Sequence, residues 1–180
     1  GHRGTVVVVE PNSGSVWGMW SNPNFDPNHL SSHDLGAAAI DFNTLNTDIT
    51  QPLTNRAEYQ SVEIGSLFTI VTAAAAIENN LSNFNIPATS SFPARSNFPV
   101  ITNSDGDECG GTIKSLMISS CRSGWATIGA EIGHGPLEAV TKRFGLLGDD
   151  PVRSENALPG AVRPTGLVSS VPHAAVGTSM

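Results

Sequence analysis

Thr5-Val6-Val7-Val8-Val9-Glu10-Pro11-Asn12-Ser13-Gly14-Ser15-Val16-Trp17-Gly18-Met19-Trp20 is the stretch that decides the fold class. Its first half is a β-branched run suited to a pleated strand, residues 11–14 are turn formers, and an apolar pattern resumes at Val16. This reads as a β-hairpin. Consecutive valines without alternation predict a strand covered on both faces, which requires helices or another layer packed over it. A layered α+β domain follows.

Downstream of the hairpin, residues 21–54 are rich in Asn, Pro, Ser and Asp and predict surface loop, with a short helix over 35–40 around Ala37, Ala38 and Ala39. Residues 66–80 carry the strongest helical signal, apolar on almost every side, and predict a central, buried helix. A second loop region over 81–111 contains Pro87, Pro93, Pro99 and the turn Asn103-Ser104-Asp105-Gly106. Further helices are predicted over 113–119, continuing through 124–132, and over 136–144, stopped by Gly145. The tail from 148 to 180 holds Pro151, Pro159, Pro164 and Pro172 and reads as mostly irregular. No repeat and no second domain is marked, so residues 1–180 are read as one domain.

Composition narrows the function classes. At about 150 residues per domain, 180 residues with 39% hydrophobic content fit a single globular domain. Charged residues are 14% of the chain, against about 25% in typical soluble domains. Sixteen acids against 9 bases leave a formal charge of -7 with no basic stripe, which argues against a nucleic-acid platform. No apolar run approaches the about 18 residues of a membrane span, and Gly1-His2-Arg3-Gly4 lacks the plan of a signal peptide. The expectation is a soluble chain. Cys109 and Cys121 are too few for a disulfide scaffold or a four-ligand zinc site; they are either bridged, which contributes about 3 kcal/mol for a short loop, or two free buried thiols. His29 and His33, with Asp34 adjacent, fall among loop formers and read as polar loop residues rather than metal ligands, so neither a metal nor a cofactor is implied. His134, between two glycines, reads as part of a helix-helix turn. Trp17, Trp20 and Trp125 read as core and Phe25 as a packing anchor.

Ser66 follows Gly65 at the start of the predicted central helix, where unpaired backbone N-H groups are positive. Its hydroxyl there serves as a helix cap or as a nucleophile toward a carbonyl. The surrounding pieces favour the second role. In order they are residues 3–19 with the turn Glu10-Pro11-Asn12-Ser13-Gly14, then Asn22-Pro23-Asn24-Phe25-Asp26-Pro27-Asn28, then Asn55-Arg56-Ala57, then Gly65-Ser66-Leu67-Phe68-Thr69-Ile70-Val71-Thr72-Ala73-Ala74-Ala75. Cys109-Gly110-Gly111, Ser119-Ser120-Cys121, Ile128-Gly129, Ile132-Gly133 and Arg143-Phe144-Gly145-Leu146 follow. This series resembles the transpeptidase domain of class B penicillin-binding proteins over nearly the whole chain.

The resemblance implies an α+β fold like that of penicillin-binding proteins and serine β-lactamases, here an N-terminal hairpin plus a helical cluster. It also implies a D,D-transpeptidase in which Ser66 is the nucleophile toward D-Ala-D-Ala stem peptides of peptidoglycan or toward β-lactams. Three departures qualify that expectation. The lysine of the family's S-x-x-K is Thr69 here, and a threonine hydroxyl has no useful basicity at neutral pH. The S-x-N motif appears as Ser120-Cys121-Arg122, placing a guanidinium that either pairs with a substrate carboxylate or faces solvent. No K-T/S-G follows, the lysines being Lys114 and Lys142. Residues 172–177 look like the segment before that strand, so the chain is expected to stop inside the domain, a fragment lacking the C-terminal sheet strands. Helices, or a cell-envelope protein partner, would then cover the open hairpin edge. The expected location is extracytoplasmic, membrane-anchored in the full-length protein. Two function classes follow: a serine acyltransferase that is weak or silent, and a non-catalytic envelope binding or scaffold module, a pseudoenzyme. A decayed copy with no activity is the third reading.

Overall fold

Turn chemistry at residues 10–15 folds the chain back on itself: the Gly14 N-H donates to the Glu10 carbonyl at 2.9 Å and the Glu10 N-H to the Ser15 carbonyl at 2.9 Å. Gly14 takes a φ of 72°, which a glycine adopts without steric cost. Strands β1 (Gly4–Val9) and β2 (Val16–Asn22) then pair antiparallel, with Val6 opposite Trp20 and a bulge between Val8 and Val9. The computed structural model describes residues 2–60, 64–93, 99–146 and 171–176, which fall into two compact units: residues 2–60, and the described residues from 64 onward.

The expectation that the valines are covered on both faces is not met. Val6, Val7, Val8 and Val9 are all exposed, as are Trp17, at 73%, and Trp20, which were expected in the core. β-Branched side chains favour a pleated backbone whether or not a layer covers it, and the first unit sets one short helix, α2 (Arg56–Tyr59), against the ribbon. Helix α1 (Leu35–Thr47) is twice as long as the expected 35–40. The Asp34 carboxylate caps it, accepting from the Gly36 and Ala37 N-H groups at 2.9 and 3.1 Å. Thr44 and Thr47 stay helical by donating their hydroxyls to the carbonyls of Ile40 and Asn43, so a stretch that looks loop-like by composition completes two further turns. Phe25 is half-buried.

Arg56 organises the end of this unit. Its guanidinium is 4% exposed and donates to the carbonyls of Thr50, Gln51, Pro23 and Thr54, while its backbone N-H donates to Ser21 Oγ at 3.2 Å. One side chain thus joins the end of β2, the turn at 50–54 and α2.

In the second unit the most buried helix is α5 (Arg122–Ile132), not the helix at 66–80. That earlier segment is a 3-10 turn, Gly65–Phe68, leading into α3 (Thr69–Glu78). Its buried residues Phe68, Val71, Thr72, Ala75 and Ala76 follow the i, i+3, i+4, i+7, i+8 spacing of a single face, and Leu67, Ile70 and Ile77 on the other side are exposed. Short strand pairs, β3 (Ile86–Thr89) with β6 (Cys109–Gly111) and β4 (Ser91–Phe92) with β5 (Ile101–Thr102), occupy the region expected to be loop. They are two to four residues long and pack on α5, so tertiary contact rather than local pattern holds them. Helices α4 (Ile113–Ser119) and α5 are separate elements, because Ser120 adopts a left-handed φ of 51° and the Cys121 N-H bonds back to the Leu116 carbonyl. Cys109 and Cys121 are bonded as a disulfide with Cα atoms 5.8 Å apart, tying β6 to the residue before α5.

Helix α6 (His134–Arg143) and helix α7 (Val171–Ala175) complete the unit. Most of the tail from 148 lies outside the described residues, but within it α7 is helical rather than irregular and buries Ala174 and Ala175, with Val176 buried just after it. The contact of α7 with α5 depends on Gly129: a Cβ there would lie 2.4 Å from the Ala175 Cβ and 3.1 Å from the Val171 carbonyl oxygen. Gly129→Ala is therefore expected to destabilise the chain by about 2 kcal/mol through overpacking, read from urea melts, whereas an unchanged midpoint would show that α7 does not dock there.

Candidate functional site

The 3-10 turn, the break after α4, the start of α5 and the end of α7 converge on a cavity of about 220 Å³. Its lining is Ser66, Leu67, Thr69, Ile70, Met117, Ser120, Arg122, Trp125 and Val176. All four residues singled out from the sequence, Ser66, Thr69, Ser120 and Arg122, meet there.

Ser66 lies inside the 3-10 turn and does not cap it, Ile64 being the N-cap residue and Phe68 that of α3. It is exposed. A 3-10 turn has three residues per turn, so the side chains of residues three apart eclipse and Thr69 stands over Ser66. The Thr69 hydroxyl donates to the main-chain carbonyl of Ser66 at 2.8 Å rather than to its side chain. Among the described residues no lining side chain is a base near neutral pH: the lining offers hydroxyls, apolar groups, an indole and a guanidinium.

Arg122 is half-buried at the first position of α5 and lines the cavity. The helix start is fixed from a distance. Asn103, 7% exposed, accepts the Ser123 N-H on Oδ1 at 2.8 Å and donates through its amide to the carbonyls of Thr89 and Asp107, each at 2.8 Å. With the disulfide at Cys121 this holds Ser120 and Arg122 from both sides.

Trp125 is a polar lining residue that the sequence reading missed, as it missed the apolar Leu67, Ile70, Met117 and Val176; it was assigned to the core, and at 1% exposure it is core as well. Its position three residues after Arg122, on the same helix face, was the available signal. Among the described residues its Nε1-H is a buried side-chain donor without a partner, at a cost of about 1–3 kcal/mol. His134 opens α6 and lies 3.4 Å from Glu138, and His29 lies 3.6 Å from Asp41; neither lines the cavity. Among the described residues no group of three His, Cys, Asp or Glu is placed to hold a metal ion, and no helix is long and apolar enough to cross a membrane.

The penicillin-binding protein transpeptidase domain family matches residues 4–179. A peptidoglycan D,D-transpeptidase, PbpA, of Mycolicibacterium smegmatis is 32% identical over 149 residues, covering 80% of this chain and 30% of the relative. The protein of the same name from Mycobacterium tuberculosis is 30% identical over 156 residues, covering 84% of this chain and 31% of the relative. Among solved structures, the penicillin-binding protein A of M. tuberculosis, as a penicillin G acyl-enzyme complex, superimposes with a TM-score of 0.87 at 26% identity, over 97% of this chain and 41% of that one. The Pseudomonas aeruginosa PBP2 structure shares the fold, with a TM-score of 0.76 at 20% identity. The chain thus spans about a third of the length of its curated relatives.

Proposed function

The chain belongs to the penicillin-binding protein transpeptidase domain family, and from that premise we propose that its cavity is a transpeptidase-type acyl site in which Ser66 holds the nucleophile position without a proton acceptor. The observation that carries this reading is the convergence of Ser66, Thr69, Ser120 and Arg122 on one cavity. The ligands it suits are β-lactams and the stem peptides of peptidoglycan.

In acylation, Ser66 Oγ bonds to the carbonyl carbon, the carbon-nitrogen bond breaks, and the serine proton ends on the departing nitrogen. A positioned base that carries this proton contributes about 10²–10⁴-fold. Thr69 cannot carry it, and a guanidinium remains protonated. Solvent must do so, which leaves binding intact and acylation slow. Thr69 also supports the companion reading, a binding or scaffold module of the cell envelope that uses the cavity without chemistry. The disulfide fits an oxidising, extracytoplasmic location.

Millimolar penicillin G should raise the melting temperature of the chain while intact mass shows only a small, slowly growing acylated fraction. Complete acylation within minutes would overturn the missing-base reading, and an unmoved melting temperature would overturn the ligand site itself.

A further inference from the structure

A second cavity, of about 250 Å³, opens within the first unit between the end of β2, residues 24–25 and residues 52–55. That volume is below the roughly 300–1,000 Å³ of pockets for drug-sized ligands, so it suits one ring with a small substituent. Trp20, Phe25 and Pro52 contribute apolar surface, and Asn24, Thr54 and Asn55 contribute polar side chains. Among the described residues no lining side chain carries a charge. The walls are tied together by one buried side chain and one hydroxyl. The Arg56 guanidinium, 4% exposed, donates to the carbonyls of Pro23 and Thr54, each at 3.4 Å, and the Ser21 hydroxyl donates to the Thr54 carbonyl at 3.3 Å. The three segments are thus held before a ligand arrives, which lowers the ordering cost of binding.

Trp20 lines this cavity and is 51% exposed, so its ring is open to a ligand. The face of an indole is negatively polarised, and the axial C-H bonds of a pyranose carry the opposite polarity, which favours stacking of a sugar ring on it. Asn55 is committed to the fold, its Oδ1 accepting the Ala57 N-H at 3.2 Å. Asn24 is exposed, and neither its amide nor the Thr54 hydroxyl bonds to another described residue. A primary amide donates and accepts at once. An acetamido group matches it in reverse, its carbonyl accepting from Nδ2 and its N-H donating to Oδ1, while Phe25 and Pro52 offer apolar surface for the methyl. A proline-rich peptide, the other ligand that aromatic grooves take, presents chiefly carbonyl acceptors and would leave the Asn24 Oδ1 without a donor.

We propose that this cavity binds an uncharged pyranose ring carrying an acetamido substituent, stacked on Trp20 and hydrogen-bonded by Asn24 and Thr54. The site is distinct from the Ser66 cavity and does not depend on Ser66 reacting.

The test uses tri-N-acetylchitotriose and cellotriose, which share a backbone and differ in having an acetamido group or a hydroxyl on each ring. In the ¹⁵N-labelled 180-residue chain, Trp20→Ala identifies the Trp20 indole N-H resonance among the three. Tri-N-acetylchitotriose should move that resonance saturably and leave that of Trp125 in place. Cellotriose should bind about tenfold more weakly, because the hydrogen bonds to the acetamido group are lost. By calorimetry, Trp20→Ala should weaken tri-N-acetylchitotriose at least about tenfold and Asn24→Ala several-fold. Asn24 is exposed and lies outside helix and strand, so Asn24→Ala should leave the melting temperature unchanged and decides the matter if Trp20→Ala fails to fold. A stationary Trp20 resonance, equal binding of the two trisaccharides, undiminished binding by Asn24→Ala, or tetraproline binding at Trp20 more tightly than tri-N-acetylchitotriose would overturn the proposal.

Discussion

In a chain carrying Thr69→Lys, acylation by a fluorescent penicillin is expected to run at least about a hundredfold faster than in the parent. Residue 69 is the C-cap of the 3-10 turn that holds Ser66, three residues on and lining the same cavity, so an amine there stands over the serine hydroxyl. Only the neutral form of the introduced amine can take the proton. The rate should therefore climb with pH and level off once the amine is deprotonated, whereas the parent, limited by solvent, should lack that plateau. Thr69→Met controls for the change in shape. Because the chains compared have the same length, any feature they share cancels from the ratio. A Thr69→Lys chain no faster than Thr69→Met would show that the missing amine is not what limits acylation.

The largest expected loss of stability is at Arg56. Arg56→Met keeps the length and apolar stem of the side chain and removes every guanidinium donor. Four main-chain carbonyls, those of Pro23, Thr50, Gln51 and Thr54, lose a charged partner, and charge-assisted hydrogen bonds are worth more than neutral ones. A destabilisation of about 3 kcal/mol is expected in urea melts, with the slope unchanged. Loss of hydrogen-exchange protection should centre on β2 and on α2. Arg56→Lys should recover only part of it, since an ammonium has three donors on one atom and cannot spread over four carbonyls. A loss under about 1 kcal/mol in Arg56→Met would mean that water replaces the guanidinium at no cost.

How much of this was legible depended on how local each cause is. The hairpin was readable because its turn residues and β-branched run act within a few residues of one another. Whether the valines are covered was not, since a continuous apolar run does not say which neighbours arrive. Helix α1 was cut short because Asn43, Thr44 and Thr47 are poor helix formers by composition, and only their hydroxyl bonds to the preceding turn reveal that they continue it. The strands over 86–111 were invisible for a different reason: they are held by α5, by the Asn103 side chain and by the disulfide, all distant in sequence. Burial of α5 ahead of α3 was hidden likewise, because Ser123, Gly124 and Gly129 pack as small residues rather than as an apolar stripe.

The site was more legible than the fold around it. Ser66 was found from its place at the start of an apolar run, and Thr69, Ser120 and Arg122 from the resemblance to the transpeptidase motifs. Trp125 escaped because a tryptophan in an apolar helix reads as core, and its unpaired N-H exists only in three dimensions.

Peptide mapping after prolonged exposure to a fluorescent penicillin, carried out on the parent chain, on Thr69→Lys and on Ser66→Ala, tests the central claim most directly. The predicted result is one adduct at Ser66, sparse in the parent, abundant in Thr69→Lys and absent from Ser66→Ala. An adduct on another residue, or equal adduct in the Ser66→Ala chain, would contradict it.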